Sequence, residues 1–133
     1  MIKAALDTNV LIYCHDRADL RKRNIALDKL DNSPVIPTQV VSEYINVLKR
    51  TYTMPKLELL HLCLTNLEGC TIQPVDVSTL KLAEHIVRRY DLQIFDSIIV
   101  ASSIEAGCKI LYSEDMQHNM EVESQLKILN PFL

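Results

Sequence analysis

Apolar residues occur along this chain in two rhythms, short unbroken runs and helix-spaced stripes, and the two alternate. Ile2 to Leu6, interrupted by Lys3, has the length and composition of a short buried strand. Asp7-Thr8-Asn9 stops that run, and Val10, Leu11 and Cys14 resume it at helical spacing, which predicts strand, tight turn and helix start. A longer helix is predicted over Arg17 to Leu30, with a partial apolar stripe at Ile25, Ala26, Leu27 and Leu30 and a wet side marked by Arg21-Lys22-Arg23. Asp31 to Pro34 is a turn, and Val35-Ile36-Pro37 a minimal strand. Thr38 suits the N-cap of a helix over Gln39 to Arg50, whose apolar face is Val40, Val41, Tyr44, Ile45 and Leu48.

Pro55 fits the first position of a further helix to about Leu67, stopped near Gly69. Thr71 to Val75 reads as a strand that Pro74 confines to an edge. Ser78 is expected to cap a helix bearing Leu82, Ala83, Ile86, Val87 and Tyr90, with Val77 and Leu82 as its staple. After a loop from Asp91 to Ile94, Phe95 to Ala106 is apolar nearly all round, the mark of a buried helix, and Gly107 ends it. Lys109 to Tyr112 is a strand, Ser113 to Asn119 a polar loop, and Lys127 to Asn130 a last short strand. Strands alternating with helices predict one α/β domain over residues 1–133, built around a parallel sheet.

Composition narrows the function classes. With 48% apolar and 23% charged residues, the 133-residue chain has the balance of an ordinary globular domain with a real core. No apolar run reaches membrane-spanning length, and no signal-peptide pattern opens the chain, so the cytoplasm is the expected location. Cys14, Cys63, Cys70 and Cys108 form no C-x-x-C pair and sit among apolar neighbours, so all four read as reduced packing residues. The four histidines are scattered, without ligand-like spacing. A net charge of −3 argues against a broad basic face for gripping nucleic acid. It leaves room for a nucleic-acid substrate, because a bound divalent ion can supply local positive charge.

The informative acids are those without local partners. Asp7, Glu43 and Asp96 each have apolar residues one turn further along and no lysine or arginine there to make a local ion pair. A carboxylate against apolar surroundings is costly unless something neutralises it. A divalent cation does so, and oxygen-only ligands favour magnesium or manganese over zinc. Asp115 lies just beyond the carboxyl end of the strand Lys109 to Tyr112, on the same edge as Asp7, and is a candidate fourth member. Plainer roles exist for each. Asp7 or Thr8 can simply cap a helix, Asp96 can complement a helix dipole, Glu43 can face water, and Asp115 can be a loop acid.

Leu6-Asp7-Thr8-Asn9-Val10-Leu11, Ser42-Glu43, Phe95-Asp96-Ser97-Ile98-Ile99-Val100-Ala101 and Leu111-Tyr112-Ser113-Glu114-Asp115-Met116 together resemble the PIN-domain nucleases. The likeness is greatest to the VapC-type ribonuclease toxins of toxin–antitoxin pairs, and it spans the whole chain in order. The resemblance implies a three-layer α/β/α sandwich with a central, mostly parallel sheet. It implies an acidic pocket of Asp7, Glu43, Asp96 and Asp115 holding one or two magnesium or manganese ions, with Thr8, Asn9 and Ser113 in support. Asp7 and Asp96 would be the chief ligands. Glu43 would ligate directly or through water, and Asp115 would complete the pocket. The implied reaction is endonucleolytic, metal-assisted hydrolysis of RNA. The implied partners are a second copy of the chain and an antitoxin whose C-terminal segment covers the groove. Glu114 competes with Asp115 for the place facing the metal, and the Ser-x-Asp arrangement favours Asp115.

A catalytically silent PIN module is the alternative within the family. A receiver domain would need an acidic pair before its first strand end, and a haloacid-dehalogenase-like phosphatase would need Asp-x-Asp where Asp7-Thr8-Asn9 stands. The basic residues offered as RNA backbone contacts are Arg21, Lys22, Arg23, Lys49 and Arg50.

Overall fold

The computed structural model describes residues 2–133. In chain order the elements are β1 (Ala4–Leu6), α1 (Thr8–Tyr13), α2 (Leu20–Asp31), β2 (Val35–Pro37), α3 (Thr38–Thr51) and α4 (Lys56–Leu67). There follow β3 (Thr71–Gln73), α5 (Val77–Tyr90), α6 (Ile94–Glu105), β4 (Ile110–Tyr112), β5 (Glu121–Val122) and β6 (Leu126–Leu129). The strands form one sheet of order β3-β2-β1-β4-β6-β5, parallel except for β5 against β6. Crossovers through α1 to α4 carry the chain from β1 out to β3, and α5 and α6, packed on each other, carry it back across to β4. The expected α/β fold, a mostly parallel sheet flanked by helices, is therefore the one observed.

The sheet interior explains the short apolar runs. Ala5, Leu6, Val35, Ile36, Leu111, Leu126 and Ile128 are all buried between the helical layers, as strands covered on both faces must be. Of the helices, α6 is the most deeply set: every residue from Ser97 to Ser103 is buried, and it packs against α5, β2, β4 and β6. Its first two residues do not follow, for Ile94 and Phe95 face solvent. All four cysteines are free, and Cys14, Cys63 and Cys108 are core residues as expected, with Cys70 half-buried. β3 lies at the sheet edge, where Pro74 required it.

Several local expectations are corrected. The helix expected from Arg17 starts at Leu20, because Asp19 accepts from the Lys22 amide as its cap while Asp16 binds the amides of Ala18 and Asp19. Pro37, not Thr38, occupies the N-cap position of α3, and the Thr38 hydroxyl instead donates to the Gln73 carbonyl at 2.9 Å, tying α3 to β3. Pro55 stands one position before α4 as its N-cap. Ser78 does not cap α5: Asp76 does, in a reciprocal pair with Thr79. Val77 is 67% exposed and staples nothing. The chain between Asn119 and Lys127 forms β5 and a tight return into β6.

Candidate metal centre

The direction in which strands are added to the sheet reverses between β1 and β4: β2 and β3 step outward from β1 on one side, and the chain returns to β4 on the other. In open α/β sheets such a switch point opens a crevice beyond the carboxyl ends of its two strands. Here those ends deliver Asp7 and the Ser113–Asp115 loop. Leu6 is in register with Tyr112, and the Asp7 amide continues the ladder to the Tyr112 carbonyl at 2.9 Å. Asp7 and Ser113 thus stand side by side, and the buried Ser113 hydroxyl donates to Asp7 Oδ2 at 2.7 Å.

Asp7 holds two roles at once. It is the N-cap of α1, accepting from the Thr8 amide at 2.7 Å, and it is a buried carboxylate among other acids. Burial raises its pKa to about 6 despite the Ser113 and Thr8 hydrogen bonds, and nearby Asp96 and Glu43 raise it further. Asp96 sits in the first turn of α6, where the helix dipole favours an anion. Its carboxyl is nonetheless raised above the usual range, by burial first and then by Glu43 and Asp115. Asp7 thus feels the charge of Asp96 and Glu43, and Asp96 that of Glu43 and Asp115. None forms a salt bridge among the described residues.

Neutral donors hold the acids in place. Thr8 Oγ1 donates to Glu43 Oε2 at 2.6 Å, and Gln39, one turn earlier on α3, donates to Glu43 Oε1 at 3.1 Å. The Asn9 amide nitrogen bridges Asp7 (3.3 Å) and Asp115 (3.1 Å), while its oxygen accepts the Glu114 amide. Ser113 Oγ also accepts the amides of Asp115 and Met116, which curls the loop over the strand end. Thr8, Asn9 and Ser113 each bind an acid of the cluster. Gln39 was missed in the sequence, although its four-residue spacing from Glu43 could have shown it.

Glu114 is already paired. Lys22 bonds it at 2.6 Å and the Tyr13 hydroxyl at 2.7 Å. Burial pushes its carboxyl up, but these two partners outweigh that and hold it below the usual range. Glu114 is neutralised by its own lysine, whereas Asp115 on the same groove wall meets only the neutral Asn9 amide. Lys22 is accordingly half-buried, its ammonium lying over the rings of Tyr13 and Phe132, and is not a fully solvated residue of the wet side of α2 as expected.

Glu43 and Asp115 line a groove of about 590 Å³ between α1, α3 and the loop after β4, with Asp16 and Glu114 also on its wall and Asp7 and Asp96 outside that lining. Ile12, Tyr13, Asn46, Val47 and Arg50 line it beside Thr8, Asn9, Glu43 and Asp115. Asn46, Val47 and Arg50 follow Glu43 at three, four and seven residues; Arg50 is already among the expected RNA contacts, and the helical spacing could have marked Asn46 and Val47 beside it. A group of three histidine, cysteine or acidic side chains already gathered to hold one ion is absent among the described residues. The donor set still fits a hard cation. Magnesium is commonly held by one or two carboxylates plus water and substrate phosphate, and an all-protein cage is not required.

A parallel sheet whose switch point gathers unpaired acids defines an α/β protein with an acidic crevice. The chain belongs to the PIN domain family, whose model matches residues 4–121. Among solved structures it resembles a toxin–antitoxin complex from Klebsiella pneumoniae, at 17% identity and TM-score 0.72 over 97% of this chain and 98% of that one. It resembles VapC20 of Mycobacterium tuberculosis, described as a sarcin-ricin loop cleaving toxin, at 17% identity and TM-score 0.67 over 85% and 90%. DNA-bound VapBC from Salmonella typhimurium matches at 16% identity and TM-score 0.69 over 96% and 97%. At such identities the likeness is one of fold. None of the curated proteins compared with it matches the sequence.

Proposed function

We propose that this PIN domain is a magnesium- or manganese-dependent endoribonuclease, acting as the toxin of a toxin–antitoxin pair. The observation that carries the reading is the gathering of Asp7, Glu43, Asp96 and Asp115 at the switch point with no cation among them. Asp7 and Asp96 would hold the ion, Glu43 would ligate directly or through water, and Asp115 would complete the pocket. When bound, the ion supplies an activated water and charge stabilisation for phosphodiester hydrolysis. The chain's own groups do the placing. Ser113 and the Thr8 amide fix the Asp7 carboxylate, Thr8 Oγ1 and Gln39 aim Glu43, and Asn9 holds Asp115 at a set distance from Asp7. Such supporting hydrogen bonds tune both ligand orientation and metal affinity.

The same reading gives the chain an RNA substrate, an antitoxin that covers the groove, a homodimeric assembly and a place in the cytoplasm. One of the solved neighbours is a toxin–antitoxin complex by description and another a toxin. Exposed apolar stripes at Leu57, Leu60 and Leu64 on α4, and at Leu80, Ile94 and Phe95 across α5 and α6, offer surface for protein contacts. No helix is long and apolar enough to cross a membrane among the described residues.

The test is incubation of purified protein with total cellular RNA and magnesium or manganese, beside folded Asp7→Asn and Asp96→Asn variants. Discrete fragments are expected from the parent protein, lost with EDTA and reduced by more than about a hundredfold in either variant, because supporting residues alone commonly account for 10–100-fold. No cleavage, with no metal binding by calorimetry, would replace the reading with a silent binding module.

A further inference from the structure

An acid-lined groove must still hold a polyanion, and the acids' own metal does not solve this beyond the reacting phosphate. The basic residues of α2 are unsuited to the task. The Arg21 guanidinium donates to the Phe132 carbonyl at 2.5 Å, and Lys22 is held by Glu114 and Tyr13. Arg23 and Lys49 do not line the groove. Arg50 does, and it is the only cation lining it among the described residues. It is exposed and forms no salt bridge among those residues.

Position strengthens the case. Glu43, Asn46, Val47 and Arg50 form one groove-facing stripe of α3, with Arg50 seven residues beyond Glu43. At 1.5 Å per residue that is about 10 Å along the helix axis. Arg50 therefore stands beside the acid cluster and clear of it, in the last turn of α3, where the helix dipole favours a cation. A guanidinium offers a fixed fork of donors that matches a phosphate in two-point contact.

We infer that Arg50 anchors a backbone phosphate flanking the one that is cleaved, holding single-stranded RNA against the acidic groove. This rests on the ribonuclease reading above and deepens it. The contact is one of positioning: it adds RNA affinity, leaves the metal ligands untouched and carries no base preference of its own.

The experiment measures binding of a fluorescein-labelled 12-nucleotide RNA to cleavage-deficient Asp7→Asn protein in manganese, across a salt series, with Arg50 intact, Arg50→Gln or Arg50→Lys. Arg50→Gln should weaken binding by about tenfold. It should also flatten the slope of log K against log salt by about 0.7, the value for one phosphate contact on a single strand. Arg50→Lys should keep the slope. In the parent background Arg50→Gln should raise KM for RNA cleavage with kcat nearly unchanged. An unchanged salt slope, a fall in kcat at constant KM, or no RNA binding with Arg50 intact would each overturn the inference. Cleavage that persists with an unchanged slope removes the anchor alone. A lost slope in a protein that never cleaves removes the nuclease reading and leaves the anchor.

Discussion

Two groups of acids in this molecule are treated in opposite ways. Where α5 meets the β5–β6 hairpin, Glu123 is met by the His85 imidazole, by Arg89 at 2.9 Å and by the Tyr90 hydroxyl at 3.3 Å. Glu114 is likewise met by Lys22 at 2.6 Å and by the Tyr13 hydroxyl at 2.7 Å. At the carboxyl edge of β1 and β4, Asp7 and Asp115 receive only neutral donors and lie close to further acids. Acids that hold a fold together come with partners that favour their charge. Acids pressed together without a cation are unfavourable as they stand, and that cost marks a place set aside for something that binds.

The sharpest way to break the contrast is to remove a neutral donor from the unpaired cluster. Ser113→Ala deletes the buried hydroxyl that fixes Asp7 Oδ2 and collects the amides of Asp115 and Met116. If the cluster holds metal, manganese affinity measured by calorimetry should fall by about 10–100-fold, the usual effect of losing a support to a ligand. An unchanged affinity would mean that Asp7 is held for folding alone.

The next prediction concerns the metal-free protein. Unfolded, Asp7 titrates near 3.8; folded, near 6. Below about pH 4 both states carry the proton and Asp7 contributes nothing to the pH dependence. As pH rises from about 4 to 6, the unfolded state releases its proton first, so folding loses stability, and above about 6 the loss is complete. The full effect is about 2–3 kcal/mol by linkage. Asp7→Asn cannot titrate, so in EDTA at pH 7 it should melt above the parent by roughly 5–10 °C, with the gap closing toward pH 4. A gap that is absent, or equal at both pH values, would remove the electrostatic strain from the account. Added manganese should stabilise the parent and leave Asp7→Asn less affected, which reverses the order of the two proteins.

Much of this edge was legible in the sequence because its main signals are local. The apolar run into Asp7 marks a strand end, and the deep burial of α6 from Ser97 onward follows from its unbroken apolar composition. What the sequence left open depends on long-range partners. That Glu114 is paired with a cation and Asp115 is not depends on Lys22, 92 residues away from Glu114. The brace on Glu43 comes from Thr8, 35 residues earlier. The helix caps were misread because several polar residues competed: Asp76 and Thr79 satisfy each other, which leaves Ser78 to reach Glu105. β5 escaped notice because two residues give no periodicity. Its return into β6 is made by Glu123 and Ser124 at positive φ, without the glycine that usually signals such a turn.

The smallest predicted effect completes the contrast from the paired side. Glu123→Gln keeps the shape of the side chain and removes the charge that Arg89 and His85 meet. Both partners are about half exposed or more, so solvent already screens the pair, and the expected loss of stability by denaturant melt is at most about 1 kcal/mol. Manganese affinity and RNA cleavage should match the parent, because Glu123 lines no part of the groove. The variant therefore separates the two kinds of acid in one protein: a small loss of stability with function kept at Glu123, against a gain of metal-free stability with function lost at Asp7. A large fall in cleavage by folded Glu123→Gln would show that the hairpin is coupled to the groove, and the division between structural and functional acids would have to be redrawn.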